Sequence, residues 1–189
     1  MEPPPRAETS SLAPFFQARS VAVIGASRDP SGVGHRVVRG LLDAGYTGRV
    51  MPVNPAAPTI AGLPAYASVD ALPEVPALAV VAVPAAAVEQ VVAACADRGV
   101  HAVVVLSAGY AETGAEGRAR QERLAQQVRR AGMRLIGPNS LGILCTDPSL
   151  RLNASFSPVF PPEGSVALAS ESGAVGLAVV QHVGARERG

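Results

Sequence analysis

Lysine is absent from this 189-residue chain, and all 16 of its basic side chains are arginines. Any phosphate the protein meets must then be held by guanidinium groups or by backbone N–H groups. A bias toward GC-rich codons, which Ala, Gly, Pro and Arg share, accounts for the arginine-only usage. An excess of one charge is also lacking: the formal net charge is +1 and charged residues make up 16%. Nucleic-acid binders show a basic excess or stripe, so no nucleic-acid partner is expected. There is no tryptophan and only 4% aromatic residues. Ala, Val and Leu must fill the core, which suits helices packed closely on a parallel sheet. Two cysteines, Cys95 and Cys145, make no disulfide framework and read as small buried apolar residues. Gly and Pro interrupt every apolar stretch before it reaches the ~20 residues that span a bilayer, so no membrane partner is expected. The segment Met1–Arg6 has no apolar signal-peptide region, which leaves a cytoplasmic location as the default. His101 and His182 have no visible partner. No metal-ligand spacing and no nucleophile–base pair appears, so no metal and no catalytic residue is expected within the chain.

What is present is a rhythm. Hydrophobic residues form 48% of the chain, which favours a packed globular protein, and its length suffices for one domain, or for one domain plus the start of another. Residues 1–12 are Pro-rich and polar and read as a disordered tail, ended by Phe15 and Phe16 packing on the domain. Apolar runs at Val21–Ile24, Arg49–Val53, Leu78–Val83, Ala102–Leu106 and Met133–Ile136 each stop at Gly, Pro or a polar turn. Helical patterns lie between them, at Gly34–Ala44, around Val88, Val91 and Val92, and at Gly117–Ala131. Strands that are apolar throughout are buried on both faces. With intervening helices, they predict an α/β fold with a Rossmann-like, doubly wound parallel sheet. This core domain spans 13–145. The chain reads as irregular from Ser140 to Gly164, with 146–164 a linker. Ser165–Ala169 reads as a new strand, followed by a turn at Ser170–Gly173 and a helix to about Glu187. Residues 165–189 thus look like the opening of a second α/β domain.

The first strand leads into a Gly-rich loop from Gly25 to Gly34. Such a loop followed by a helix cradles phosphate on free N–H groups and the positive end of the helix dipole. The plain reading is a turn that uses glycine for geometry alone. Ser27 donates its hydroxyl to phosphate or caps the turn, and Arg28 is placed to meet pyrophosphate. A dinucleotide site needs a carboxylate at the end of the second strand. Here that place reads Val53-Asn54-Pro55, and the loop is too long for G-x-G-x-x-G; both count against NAD. Arg49 either serves a further phosphate, such as the 3′-phosphate of coenzyme A, or is simply solvated. The loops Val83-Pro84, Ser107-Ala108-Gly109-Tyr110 and Gly137-Pro138-Asn139-Ser140 would converge on the same crevice. His35 either touches ligand or is a helix-start side chain.

These stretches, with Ser20–Ser27, Pro52–Pro55, Ser107–Glu112, Ile136–Gly142 and Ser170–Gly173 in this order, resemble the N-terminal part of NDP-forming acyl-CoA synthetases. That family is similar to the α subunit of succinyl-CoA synthetase. The resemblance implies coenzyme A binding by Gly25, Ala26, Ser27, Arg28, Gly34, Asn54, Pro55, Val83, Pro84, Ser107, Ala108, Gly109, Pro138, Asn139 and Ser140. Ser140 stands where many relatives have Cys, near the thiol end. Ser170, Ser172 and Gly173 match a turn that holds phosphate or phosphohistidine, and Glu171 stands where relatives usually have Gln or Arg. The phosphorylated His of those enzymes would lie beyond Gly189. The implied whole is an ADP-forming acetate–CoA ligase type enzyme, with a second α/β domain, an ATP-grasp domain or subunit, and an oligomeric assembly. Two alternatives stand beside it. One is a coenzyme A-sensing domain fused to a GNAT-type lysine acetyltransferase; the other is an NAD(P)-binding oxidoreductase domain.

Overall fold

A computed structural model of the chain describes residues 12–186. Apart from Leu12, the expected tail lies outside them. After a short helix α1 (Ala13–Phe16), the chain alternates β1 (Ser20–Ile24), α2 (Val33–Asp43) and β2 (Arg49–Val53). A two-residue hairpin, β3 (Thr59–Ile60) and β4 (Leu63–Pro64), precedes β5 (Leu78–Val81), α3 (Ala85–Asp97) and β6 (Ala102–Val105). Then come α4 (Ala115–Arg130), β7 (Arg134–Ile136), β8 (Gly142–Cys145), β9 (Leu152–Ser155) and α5 (Gly173–Arg186).

Five strands form one parallel sheet in the order β2-β1-β5-β6-β7. The order reverses between β1 and β5, and the crevice outside the carboxyl ends of those two strands is where open α/β sheets bind ligands. Alternate residues of each strand feed two cores. Val21, Val23, Leu78, Val80 and Val104 meet Phe15 and the α2 residues Val37, Val38 and Leu41 on one face. Ala22, Ile24, Met51, Ala79, Val81 and Val105 meet Val88, Val92 and Cys95 of α3 and Leu124 and Val128 of α4 on the other. Small strand residues let both helical layers sit close.

Three expectations change. The region after Ser140 is not irregular: β8 and β9 pair antiparallel, from Gly142↔Ser155 to Cys145↔Leu152. Leu152 and Ala154 of β9 are buried against the α2 side of the core. Part of the proposed linker is thus structural. Second, Ser165–Ala169 forms no strand. Val166 is 90% and Leu168 56% exposed, because no neighbouring strand among the described residues offers them a ladder or a cover. Third, β5 ends at Val81, two residues early, where Ala82 and Val83 turn toward the loop after β1.

Candidate functional site

The loop after β1 is built around two close approaches. Gly25 has φ +86°, and a Cβ there would lie 2.6 Å from the Ala82 carbonyl oxygen. A Cβ on Gly34 would lie 2.1 Å from the Gly25 carbonyl oxygen. Only glycine lets α2 start so tightly against the turn. The amides of Ala26, Ser27 and Arg28 make no hydrogen bond among the described residues. Gly32, at the N-cap of α2, supplies no side-chain cap, and the first N–H groups of a helix have no intrahelical partner. Two sets of free donors therefore flank one turn at the switch point of the sheet. This is the geometry that receives a diphosphate.

The loop's own side chains hold it in shape. Ser27 Oγ accepts the Asp29 N–H at 3.0 Å. Asp29 in turn accepts the Ser31 N–H and hydroxyl at 2.9 and 2.8 Å. Those Ser31 bonds, backbone first, hold the Asp29 carboxyl below its usual range. Arg28 is exposed and makes no ion pair or hydrogen bond among the described residues. His35, in the first turn of α2, places Nδ1 2.8 Å from the Ser27 carbonyl oxygen. A carbonyl only accepts, so Nδ1 carries a proton. Of the two readings its position beside the loop allows, ligand contact or a helix-start side chain, this bond fits the second.

The neighbouring loops are tied to this one and to each other. Asn54 Nδ2 donates to the Ala26 carbonyl at 2.6 Å, and its Oδ1 accepts the Ala56 N–H at 2.7 Å. Asn54 is thereby a brace between the loops after β1 and β2, at the place where a dinucleotide site needs a carboxylate. Ser107 Oγ donates to the Val83 carbonyl at 2.6 Å, and the Asn139 N–H donates to the Ser107 carbonyl at 2.9 Å. The loops carrying Val83-Pro84, Ser107–Gly109 and Pro138–Ser140 are thus linked in series. Glu112 accepts the N–H groups of Gly109 and Tyr110 at 2.5 and 3.1 Å. Those bonds, Tyr110 first, hold its carboxyl below its usual range. The peptide bond before Pro138 is cis, and Ser140 Oγ accepts the Gly142 N–H at 3.0 Å.

Arg49 does not join this set. It opens β2 opposite Ser20, whereas the loop follows Ile24 and Val53 at the other end of the ladder. Four residues at ~3.3 Å each separate the two edges, and the Arg49 guanidinium pairs with Glu74 at 3.4 Å.

The second predicted turn does come close. A cleft of about 480 Å³ is lined on one side by Pro138, Asn139 and Ser140 and on the other by Ser170, Glu171, Ser172 and Gly173. Ser172 Oγ accepts the Val175 N–H at 3.3 Å, capping α5. Glu171 is exposed. Among the described residues no helix is long and apolar enough to cross a membrane.

Comparison with known proteins gives the same reading. The α subunits of two ADP-forming acetate–CoA ligases of Pyrococcus furiosus are 38% and 41% identical to this chain. The matches cover 90% and 88% of it, and 37% and 35% of those proteins. The chain thus spans little more than a third of their length. The structure of a dinucleotide-forming acetyl-coenzyme A synthetase of Ca. Korarchaeum cryptofilum, in complex with phosphate and ADP, superposes with a TM-score of 0.85. Identity there is 37%, over 95% of this chain and 38% of that one. With residues 19–146 matched to the CoA binding domain family, the chain belongs to that family, and coenzyme A is its cofactor.

Proposed function

We propose that this domain presents coenzyme A within an ADP-forming acyl-CoA synthetase acting on a short carboxylic acid, with acetate the first choice. One observation carries the reading. Free backbone amides on both sides of the Gly25–Gly34 turn sit at the switch point of a parallel sheet, with no carboxylate at the end of β2 to take a second ribose. On this reading Ala26, Ser27 and Arg28 and the first turn of α2 hold the diphosphate. Val83 and Pro84 flank the adenine or the pantetheine arm, and Pro138, Asn139 and Ser140 receive the thiol end. The cleft between Ser140 and the Ser170–Gly173 turn is where an acyl phosphate would meet the thiol. The thiol's S–H bond breaks as sulfur bonds to the acyl carbon, phosphate leaves with the carbon–oxygen bonding pair, and the thiol proton ends on the released phosphate. The contribution of these residues is positioning and charge stabilisation.

The remainder of the reading follows the relatives. A second α/β domain would continue from 165 onward and cover α5, and an ATP-grasp domain or subunit would supply the nucleotide step. The enzyme would be oligomeric and cytoplasmic. Calorimetric titration of the chain with coenzyme A, dephospho-coenzyme A and NAD tests the core claim. Coenzyme A should bind and NAD should not, while a weaker dephospho form would report a contact to the 3′-phosphate. Binding of NAD with no response to coenzyme A would overturn the reading.

A further inference from the structure

The sheet order β5-β6-β7 sets the loop after β6 between the Val83-Pro84 edge and the Pro138–Ser140 loop. Both ends of this middle loop are anchored. Leu106 is buried, and Ser107 is bonded to the Val83 carbonyl and to the Asn139 N–H. Tyr110 is fully buried in the core on the α3 and α4 side. The start of α4 lies so close to it that a Cβ on Gly117 would be 1.8 Å from the Tyr110 carbonyl oxygen. Ala108 and Gly109 remain between the anchors. Gly109 has φ +101°, and a Cβ there would lie 3.1 Å from the Ala85 Cβ at the start of α3.

Opposite charges grip the two backbone groups of Gly109. Its N–H donates to Glu112 Oε1 at 2.5 Å, and its carbonyl accepts Arg120 Nη1 at 2.6 Å. The same Glu112 oxygen accepts the Tyr110 N–H at 3.1 Å. Glu112 belongs to a 3₁₀ turn at Ala111–Thr113, and Arg120 to α4. Among the described residues the two do not pair with each other; Arg120 forms its ion pair with Glu116, one turn earlier, at 3.7 Å. Each charge is thus spent on the loop backbone, and hydrogen bonds to charged groups are stronger than neutral ones. Ala108 is the residue this arrangement presents. It is exposed, and its N–H makes no hydrogen bond among the described residues.

We propose that Glu112 and Arg120 are positioning residues for coenzyme A: by holding Gly109 at both ends they present the Ala108 N–H to an amide carbonyl of the pantetheine arm. This rests on the reading above, in which the diphosphate lies at the loop after β1 and the thiol end at Ser140. The arm then crosses the ends of β5 and β6 on its way to β7. It is flexible and uncharged, and its amides are its main polar groups, so a backbone donor fixed in advance suits it. Holding that donor in place before binding removes the cost of ordering the loop. Neither charged side chain touches the ligand; both act through the loop.

The test is a titration of the isotope-labelled 189-residue chain with coenzyme A, read by calorimetry and by backbone amide NMR. In the parent the Ala108 amide should shift saturably. Glu112→Ala and Arg120→Ala should each weaken coenzyme A roughly tenfold, the loss expected for a hydrogen bond to a charged group. In both variants the Ala108 shift should vanish, while amides of residues 26–34 still shift at saturating coenzyme A. Glu112→Gln keeps an oxygen where both N–H bonds end, so its affinity should return to within about threefold of the parent. A side chain that only stabilised the fold would move the melting temperature without moving the Ala108 signal. If one alanine variant fails to fold, the other and the parent's Ala108 signal decide. Folded variants as tight as the parent, an Ala108 amide that stays still in the parent complex, or a glutamine variant as weak as the alanine would each overturn the proposal and leave the coenzyme A reading standing. A parent chain that does not bind coenzyme A would remove both.

Discussion

At Gly34 two preferences oppose each other. Alanine in a helix is normally better than glycine by ~1 kcal/mol. Here its Cβ would meet the Gly25 carbonyl oxygen at 2.1 Å and the carbonyl carbon at 2.7 Å. Both are backbone atoms, so the loop itself has to open. Gly34→Ala is expected to lower stability by about 2 kcal/mol and coenzyme A affinity at least tenfold, in thermal unfolding and calorimetric titration. A variant as stable and as tight as the parent would remove the close-approach argument. Asn54 gives a second case. Asn54→Ala removes a neutral hydrogen bond worth ~1 kcal/mol between two loops. Asn54→Asp places a carboxylate against the Ala26 carbonyl, beside the loop proposed to hold the diphosphate, so on that proposal it should weaken coenzyme A more than the alanine does. The excess should shrink between ~0.05 and ~0.5 M salt as screening grows; equal affinities at both salts would refute it. The turns at Gly25, Gly34 and Asn54 were legible from sequence because their signal is local: strand end, turn, helix start. Arg49 was misplaced because its charge suggested phosphate while its position, first in its strand, put it at the opposite edge. His35 and Glu112 act through bonds to backbone groups a few residues away, which residue type alone does not announce.

Among the elements, the parallel strands were readable because burial on both faces makes each one a continuous apolar run closed by Gly or Pro. The β8–β9 hairpin was not, because what stabilises it is distant: β9 is buried against α2, more than a hundred residues earlier in the chain. The Ser165–Ala169 segment shows the converse. Its residues suit a strand, but a strand needs a neighbour to pair with, and none of the described residues provides one. The helix after it carries the same signature. Val175, Val179 and Val183 recur every fourth residue and are 57%, 40% and 41% exposed, an apolar stripe of the kind that usually faces a core. Val175→Glu together with Val179→Glu should therefore leave the melting temperature of the chain unchanged within a degree or two and reduce its binding of an apolar dye. A large loss of stability would show that this stripe already packs on something in the chain.

For the whole molecule, the absence of lysine clears the alkaline range of the ammonium groups that usually titrate there, and leaves thiols and phenols as the side chains that respond. Burial pushes the Cys95 thiol from 9.0 up to about 12, with the Asp70 charge adding to it. Burial likewise pushes the Tyr46 phenol from 10.0 up to about 12, against a smaller opposing effect of Arg19; its hydroxyl donates to the Ala18 carbonyl at 2.7 Å. Each group is neutral when protonated, and the fold holds it in that form. In the unfolded chain the thiol loses its proton near 9.0 and the phenol near 10.0, while the folded chain keeps both protons to about 12. Across that interval the unfolded state binds fewer protons, so stability falls as pH rises. Their contribution is complete below pH 9 and is lost progressively above it. Denaturant midpoints measured from pH 8 to 11 should drop, first along the thiol's range and then more steeply. Cys95→Val should flatten the early part of that drop. Tyr46→Phe should flatten the later part, at a fixed cost at neutral pH from the unpaired Ala18 carbonyl. Midpoints level across the range in the parent, or equal slopes in all three proteins, would show that neither group carries the alkaline sensitivity of this fold.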